Sequence, residues 1–402
     1  MTECSQTSAR PGRALRGAWP LPSGVTYLNH GSFGPAPKSV LAAKRQWIEQ
    51  LESEPMDFLV RRMEGHLDEV RDRLGRFIGA CGDDLLLVDN ATFAMNMVAK
   101  SFPLSSGDEV LATNHEYGAV LRIWRDRTCQ VGARLVLQKL PEEFAGAEEI
   151  AETFLAGISD RTKLIVVSHI TSPTALLLPV EEICRRAKAR GIPVCVDGPH
   201  ALVALPLDLD RLACDFYCAS GHKWLSAPIG SGFLYVHSRW KKILRPLVVS
   251  WGKSLGGRPE SWQDEFVWSG TRDPSSNLAI PAAIDFFERE AGGFDAFRTA
   301  SRSLVDYTHR KIIAITGLEP IARDIAKWCP TMLSLPLPES VGETPAPNQI
   351  HPLQAALWER HRIEVLVTNW SGRRYLRVSC HLYNDAGDID RLAAALEELM
   401  RP

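Results

Sequence analysis

The most constraining feature of this chain is the alternation, from about residue 85 to 237, of short β-branched runs with longer amphipathic stretches. Runs of this length are too short for buried helices, and several are apolar enough to be covered on both faces. The amphipathic stretches between them supply the helices that cover them. The expected class is therefore α/β, a mostly parallel sheet built from βαβ units. Predicted strands are Leu85–Val88, Glu109–Ala112, Arg134–Gln138, Lys163–Ser168, Ile192–Asp197, Cys214–Ala219 and Gly232–His237. A helix is predicted from Pro179 to Arg190, with acids in its first turn and Arg190-Gly191 at its close.

After about Pro281 the pattern changes to long helical stretches, then strands at Thr331–Leu335, Glu364–Val367 and Tyr375–Cys380, with a Pro-rich loop near 336–352 and a last helix over Asp388–Met400. The expected organisation is an N-terminal arm (1–26, partly disordered), a large α/β domain (27–280) and a small α+β domain (281–402). A length of 402 residues suits one large core and one smaller one. The 46 basic and 48 acidic residues nearly cancel, so no global field draws the chain to nucleic acid or to an anionic membrane. Its longest uncharged stretch, Leu164–Val180, is short and broken by polar residues, and no membrane span is expected. Nine cysteines and no secretory signal at the start predict reduced thiols and a cytoplasmic location. No CxxC pair is present, and no metal is expected.

Ligand groups in parallel α/β sheets gather at the carboxyl ends of strands. Strand 85–88 ends in Asp89-Asn90-Ala91-Thr92 and enters a helix, offering backbone N–H groups and the Thr92 hydroxyl to a phosphate. Taken alone, an ordinary Asn/Thr helix cap accounts for those residues better. Strand 192–197 ends in Asp197, a carboxylate that needs a cation if buried, such as a protonated pyridine nitrogen. The next strand ends in Ser220-Gly221-His222-Lys223-Trp224, placing a lysine amine beside an apolar pocket where its pKa would fall. Each residue alone has a plain structural explanation; the set is far more specific than its members.

These residues resemble the class V aminotransferase group of pyridoxal 5′-phosphate (PLP) fold-type I enzymes, and within it the isopenicillin N epimerase-like subgroup. Tyr27-Leu-Asn-His-Gly-Ser-Phe-Gly34, Ser168-His-Ile-Thr-Ser-Pro-Thr174, Asp197-Gly-Pro-His200 and Ser220-Gly-His-Lys-Trp224 are similar to that subgroup's motifs, and the likeness spans nearly the whole chain. It implies a seven-stranded, mostly parallel sheet and PLP carried on Lys223, which also shuttles the Cα proton. Asp197 would meet the pyridine nitrogen, and Ala91, Thr92, Ser220 and His222 the phosphate. His200 and Ser172 would lie near the ring oxygen. Arg377 would clamp the carboxylate of an amino-acid substrate, with Asn29 and His30 nearby. Gly270-Thr271 would reach the phosphate of a neighbouring subunit, implying a homodimer with shared active sites. Tyr117 is favoured over His115 as the ring stacked on the cofactor, because Ala119-Val120-Leu121 aligns best that way; a slip of one or two residues reverses the choice.

The desulfurases of this group carry a cysteine just before the strand of the substrate arginine. Here Val367–Tyr375 has none, so a desulfurase is not expected. The expectation is epimerase-like chemistry at the α-carbon of an amino acid or amino-acid-containing metabolite, with Tyr117 as the second acid. The alternatives are a C–S β-lyase, an aminotransferase, and a non-catalytic PLP-fold binding protein.

Overall fold

The computed structural model describes residues 12–144, 146–342 and 349–400. The large sheet contains β1 (Leu85–Val88), β2 (Glu109–Thr113), β3 (Arg134–Gln138), β4 (Thr162–Ser168), β5 (Val194–Asp197), β6 (Phe216–Ser220) and β7 (Gly232–Val236), in spatial order β1-β7-β6-β5-β4-β2-β3. All seven lie within a residue or two of the predicted runs. Helices or loops connect the parallel strands. β7 alone runs against its neighbours β6 and β1, because the connection 221–231, which carries the lysine, is too short for a right-handed crossover. Strands β4 to β7 are buried almost throughout, as their continuous apolar runs predict.

Strands β8 (Met332–Pro336), β9 (Leu366–Trp370) and β10 (Arg373–Ser379) form an antiparallel sheet in the order β9-β10-β8. β9 and β10 are one hairpin, longer than the sequence pattern suggested. Its two-residue turn places Ser371 and Gly372 at φ 48° and 77°, the left-handed values that such a tight turn demands. Helix Phe294–Thr316 packs on β8 and on the last helix, Ala386–Leu399. That helix starts at a capping box formed by Asp385 and Asp388, two residues earlier than its apolar period alone indicates. Pro179 is the N-cap of helix Val180–Ala189 rather than its first turn.

From residue 12 onward the N-terminal segment is packed: Trp19 is 1% exposed and meets Phe286, His381 and Tyr383 edge-on. Thr26–Tyr27 pairs in parallel with Ile363–Glu364. A large aromatic residue and a strand pairing outweigh the polar composition of this stretch. Residues 19–27 are thus fastened to residues 363–383. The rest of the expected arm, residues 1–11, and the middle of the Pro-rich loop lie outside the described residues.

Candidate active site

The carboxyl ends of β5 and β6 bring Asp197 and the Lys223 loop together. Asp197 is 7% exposed, and burial raises its carboxyl to about 6 while the Lys223 charge works against that rise. Tyr217 packs so close behind that a Cβ on Gly198 would lie 2.1 Å from its ring, which explains the glycine after the aspartate. Lys223 is half-buried. Burial, then the like charge of Arg377, lowers its amine to about 7, and Asp197 opposes them.

His200 touches the amine directly, its Nε2 lying 3.0 Å from Lys223 Nζ. Trp224 Nε1–H donates to His200 Nδ1 at 3.4 Å. Burial holds this imidazole neutral, far below its usual range. With Nδ1 accepting, the ring proton belongs on Nε2, which then donates to an uncharged lysine amine. Geometry and electrostatics both favour an amine that loses its proton near neutral pH.

Ser220 Oγ accepts the Ala91 N–H at 2.9 Å, tying the end of β6 to the start of helix Ala91–Ser101. Asn90 caps that helix through Phe93 N–H, and Thr92 is exposed on its first turn. His222 Nδ1 is buried without a partner, and burial drops its ring to about 4. Thr271 is exposed, next to Arg272, whose Nη1–H donates to Asp89 at 2.7 Å.

Arg377, on β10, is 2% exposed. Its Nη1 donates to the Ser172 carbonyl at 2.7 Å and hydroxyl at 3.1 Å, and Nη2 donates to Ser32 Oγ at 2.6 Å. Its Nε is buried and unpartnered. Ser172 therefore engages the arginine as an acceptor and keeps its own hydroxyl proton to donate. Ser32 belonged to a quoted motif but carried no predicted role; only the folded chain brings it to Arg377, across a separation of 345 residues.

His30 and His115 are both enclosed. His30 is fully buried, stacked on His381 at 3.9 Å, with Nδ1 2.8 Å from the Tyr383 hydroxyl and Nε2 2.9 Å from the Lys223 carbonyl. Both nitrogens are spent, so it supports the lysine loop from behind and cannot also bind substrate. Asn29 Nδ2 donates to Glu364 at 3.2 Å, while its Oδ1 is buried and unpartnered. His115 is fully buried against Trp370, 4.2 Å between centroids, and Thr174. Tyr117 is 46% exposed, near enough to Arg377 to affect its charge.

Residues 26–392 match the family model for class V aminotransferases. The chain belongs to that family. Class V aminotransferases are PLP-dependent enzymes. The chain is 36% identical to isopenicillin N epimerase of Streptomyces clavuligerus over 96% of this chain and 97% of that protein. A probable chloroplastic L-cysteine desulfhydrase of Arabidopsis thaliana is 27% identical, over 93% of this chain and 82% of its own length. The fold matches that of C-DES, solved with glycine covalently linked to its PLP cofactor, at a TM-score of 0.82 and 23% identity, covering 95% of this chain and 99% of that one. Among the described residues, no helix is long and apolar enough to cross a membrane.

The residues present fit the family cofactor. Asp197 is a buried acid whose charge Lys223 opposes, His222 offers an unpartnered buried nitrogen, and an 11-residue helix begins beside Ser220.

Proposed function

We propose that this class V aminotransferase is an epimerase-like enzyme that moves the Cα proton of an amino acid or amino-acid-containing metabolite. The carrying observation is the Lys223 amine, 3.0 Å from His200 and lowered to about 7 by burial and Arg377 against the pull of Asp197. Bound PLP supplies an electron-withdrawing ring that acidifies the Cα hydrogen. Lys223 would carry the cofactor, Asp197 would face its ring nitrogen, and Ala91, Thr92, Ser220 and His222 would surround its phosphate. Arg377 Nε remains to donate to the substrate carboxylate, with the Ser32 hydroxyl beside it.

An amine near pKa 7 is half deprotonated at neutral pH, so Lys223 can take the Cα proton and return it. Inversion needs a second acid, and the exposed Tyr117 hydroxyl beside Arg377 suits that role better than the enclosed His115. The 36% identity to an epimerase over nearly the full chain supports this reading.

A C–S β-lyase is the second reading, supported by the desulfhydrase relative; there Tyr117 would protonate the departing sulfur. The persulfide-forming route has no support from Cys329 or Cys380, both enclosed and with thiols raised by burial to about 12. A homodimer belongs to the same proposal, supported by exposed Ile229, Val248, Val249 and Trp251. So does a cytoplasmic location.

Deuterated water decides between the readings. An epimerase exchanges the Cα hydrogen of its substrate without forming pyruvate or ammonia, whereas a lyase forms both. Tyr117→Phe should lower turnover by about 10²-fold or more if the hydroxyl is the acid; full turnover in that variant removes Tyr117 from either scheme.

A further inference from the structure

Glu116 is a buried acid that the reaction above does not use. Its side chain is 4% exposed and accepts two hydrogen bonds, from Thr113 Oγ at 2.7 Å and from Ser168 Oγ at 2.5 Å. Thr113 ends β2 and Ser168 ends β4, strands that pair directly. The carboxylate therefore clasps two adjacent strand ends. Thr113 Oγ also accepts the His115 N–H at 3.1 Å, which commits its own proton to Glu116.

This clasp sits at an electrostatically poor place. Ser168 is the register partner of Asp197, and the Asp197 charge adds to burial in raising Glu116 to about 7. A second acid beside Asp197 costs stability that a neutral side chain would avoid. What an acid offers in return is two charge-assisted hydrogen bonds, about twice as strong as neutral ones.

The residue held this firmly is the one immediately before Tyr117. Other bonds close the same turn: Asn114 Oδ1 accepts the Leu140 N–H at 2.9 Å, and the Asn114 carbonyl accepts Trp370 Nε1–H at 3.0 Å. Tyr117 then leaves the turn as the N-cap residue of helix Gly118–Val131, its ring exposed. Its side chain makes no cap hydrogen bond to that helix.

We propose that Glu116 is a positioning residue: by clasping Thr113 and Ser168 across β2 and β4, it fixes the backbone from which Tyr117 reaches the cofactor and substrate. The inference rests on the role assigned to Tyr117 under the proposed function. It predicts that Glu116 acts through Tyr117 and not through general stability. Cofactor-free protein titrated with PLP, followed by visible circular dichroism, measures this without a substrate. Glu116→Ala should weaken PLP about tenfold and diminish the visible dichroic band, and Glu116→Gln, which keeps neutral hydrogen bonds, should recover at least about half of that loss on a logarithmic scale. In a Tyr117→Ala background, Glu116→Ala should add less than about twofold, because the side chain it positions is gone. Ser168→Ala, which removes one of the two bonds, should weaken PLP by about threefold and serves if Glu116→Ala does not fold.

Undiminished affinity and dichroism in Glu116→Ala or Ser168→Ala overturns the inference, as does the full tenfold loss persisting without Tyr117. Failure of the underlying reading looks different: the unaltered protein would then show no visible band on adding PLP.

Discussion

Lys223, Asp197 and Arg377 form a charge triad whose balance sets the lysine. Burial and Arg377 push the amine down to about 7, and Asp197 pulls it up. Replacing Arg377 with Leu removes the opposing cation, so the pH midpoint for reductive methylation of Lys223 in cofactor-free protein should rise by roughly one unit. Asp197→Asn should move it the other way by a similar amount. A midpoint unmoved in both variants would show that desolvation alone sets the amine. Lys223→Ala should abolish the visible absorbance that PLP acquires on the protein. Lys223 and Asp197 were legible in the sequence because each ends an apolar strand, and strand ends are where an α/β sheet gathers its chemistry. His30 was not: a histidine beside a glycine-rich turn looks the same whether it faces a cleft or, as here, stacks on His381 behind the lysine. Ser32 sat in a motif with no legible role and Glu116 gave no signal, since Arg377 and Ser168 lie 345 and 52 residues away from them.

At the scale of elements, the site depends on joints between strand ends and helix starts. Ser220 Oγ, at the end of β6, accepts the Ala91 N–H and so aligns the lysine loop with helix Ala91–Ser101. Ser220→Ala should cost about 1 kcal/mol in chemical denaturation and weaken PLP more than free pyridoxal, because the loss falls on the phosphate end. Equal weakening of both ligands would remove Ser220 from the phosphate seat. Element positions were readable because periodicity distinguishes strand from helix, and the seven strands of the large sheet followed the apolar runs closely. Their ends were less so. The hairpin of β9 and β10 extends past the apolar residues because Ser371-Gly372 closes a tight turn, and the last helix begins at its capping box. The isolated position of β7 as the one reversed strand follows from the length of the 221–231 connection, which only its pairing reveals.

For the whole molecule, residues 12–27 act as a strap. Trp19, buried among Phe286, His381 and Tyr383, should cost about 3–5 kcal/mol when replaced by Ala, read as a lower denaturation midpoint with faster proteolysis near residue 20. Acid should destabilise the fold through its enclosed histidines. His30 and His115 are lowered to about 3, and His169 and His222 to about 4, all first by burial. Between these values and 6.5 the unfolded chain binds more protons than the folded one. The histidines' contribution is therefore full above about pH 6.5 and is lost as pH drops toward 3–4, each adding a slope of roughly 1.4 kcal/mol per pH unit, partly offset by protonation of the raised Asp197 and Glu116 carboxyls. Urea midpoints measured from pH 7.5 to 4.5 check this, and a flat profile would contradict the enclosure of these rings. By itself the sequence determined the α/β class, the strand runs and the pairing of a lysine with an acid at neighbouring strand ends, because period and polarity are local properties. Tertiary structure decided which of His115 and Tyr117 lies open, which face His30 takes, and that residues 12–27 close on residues 363–384. Those outcomes depend on contacts between distant segments, and no local pattern encodes a partner hundreds of residues away.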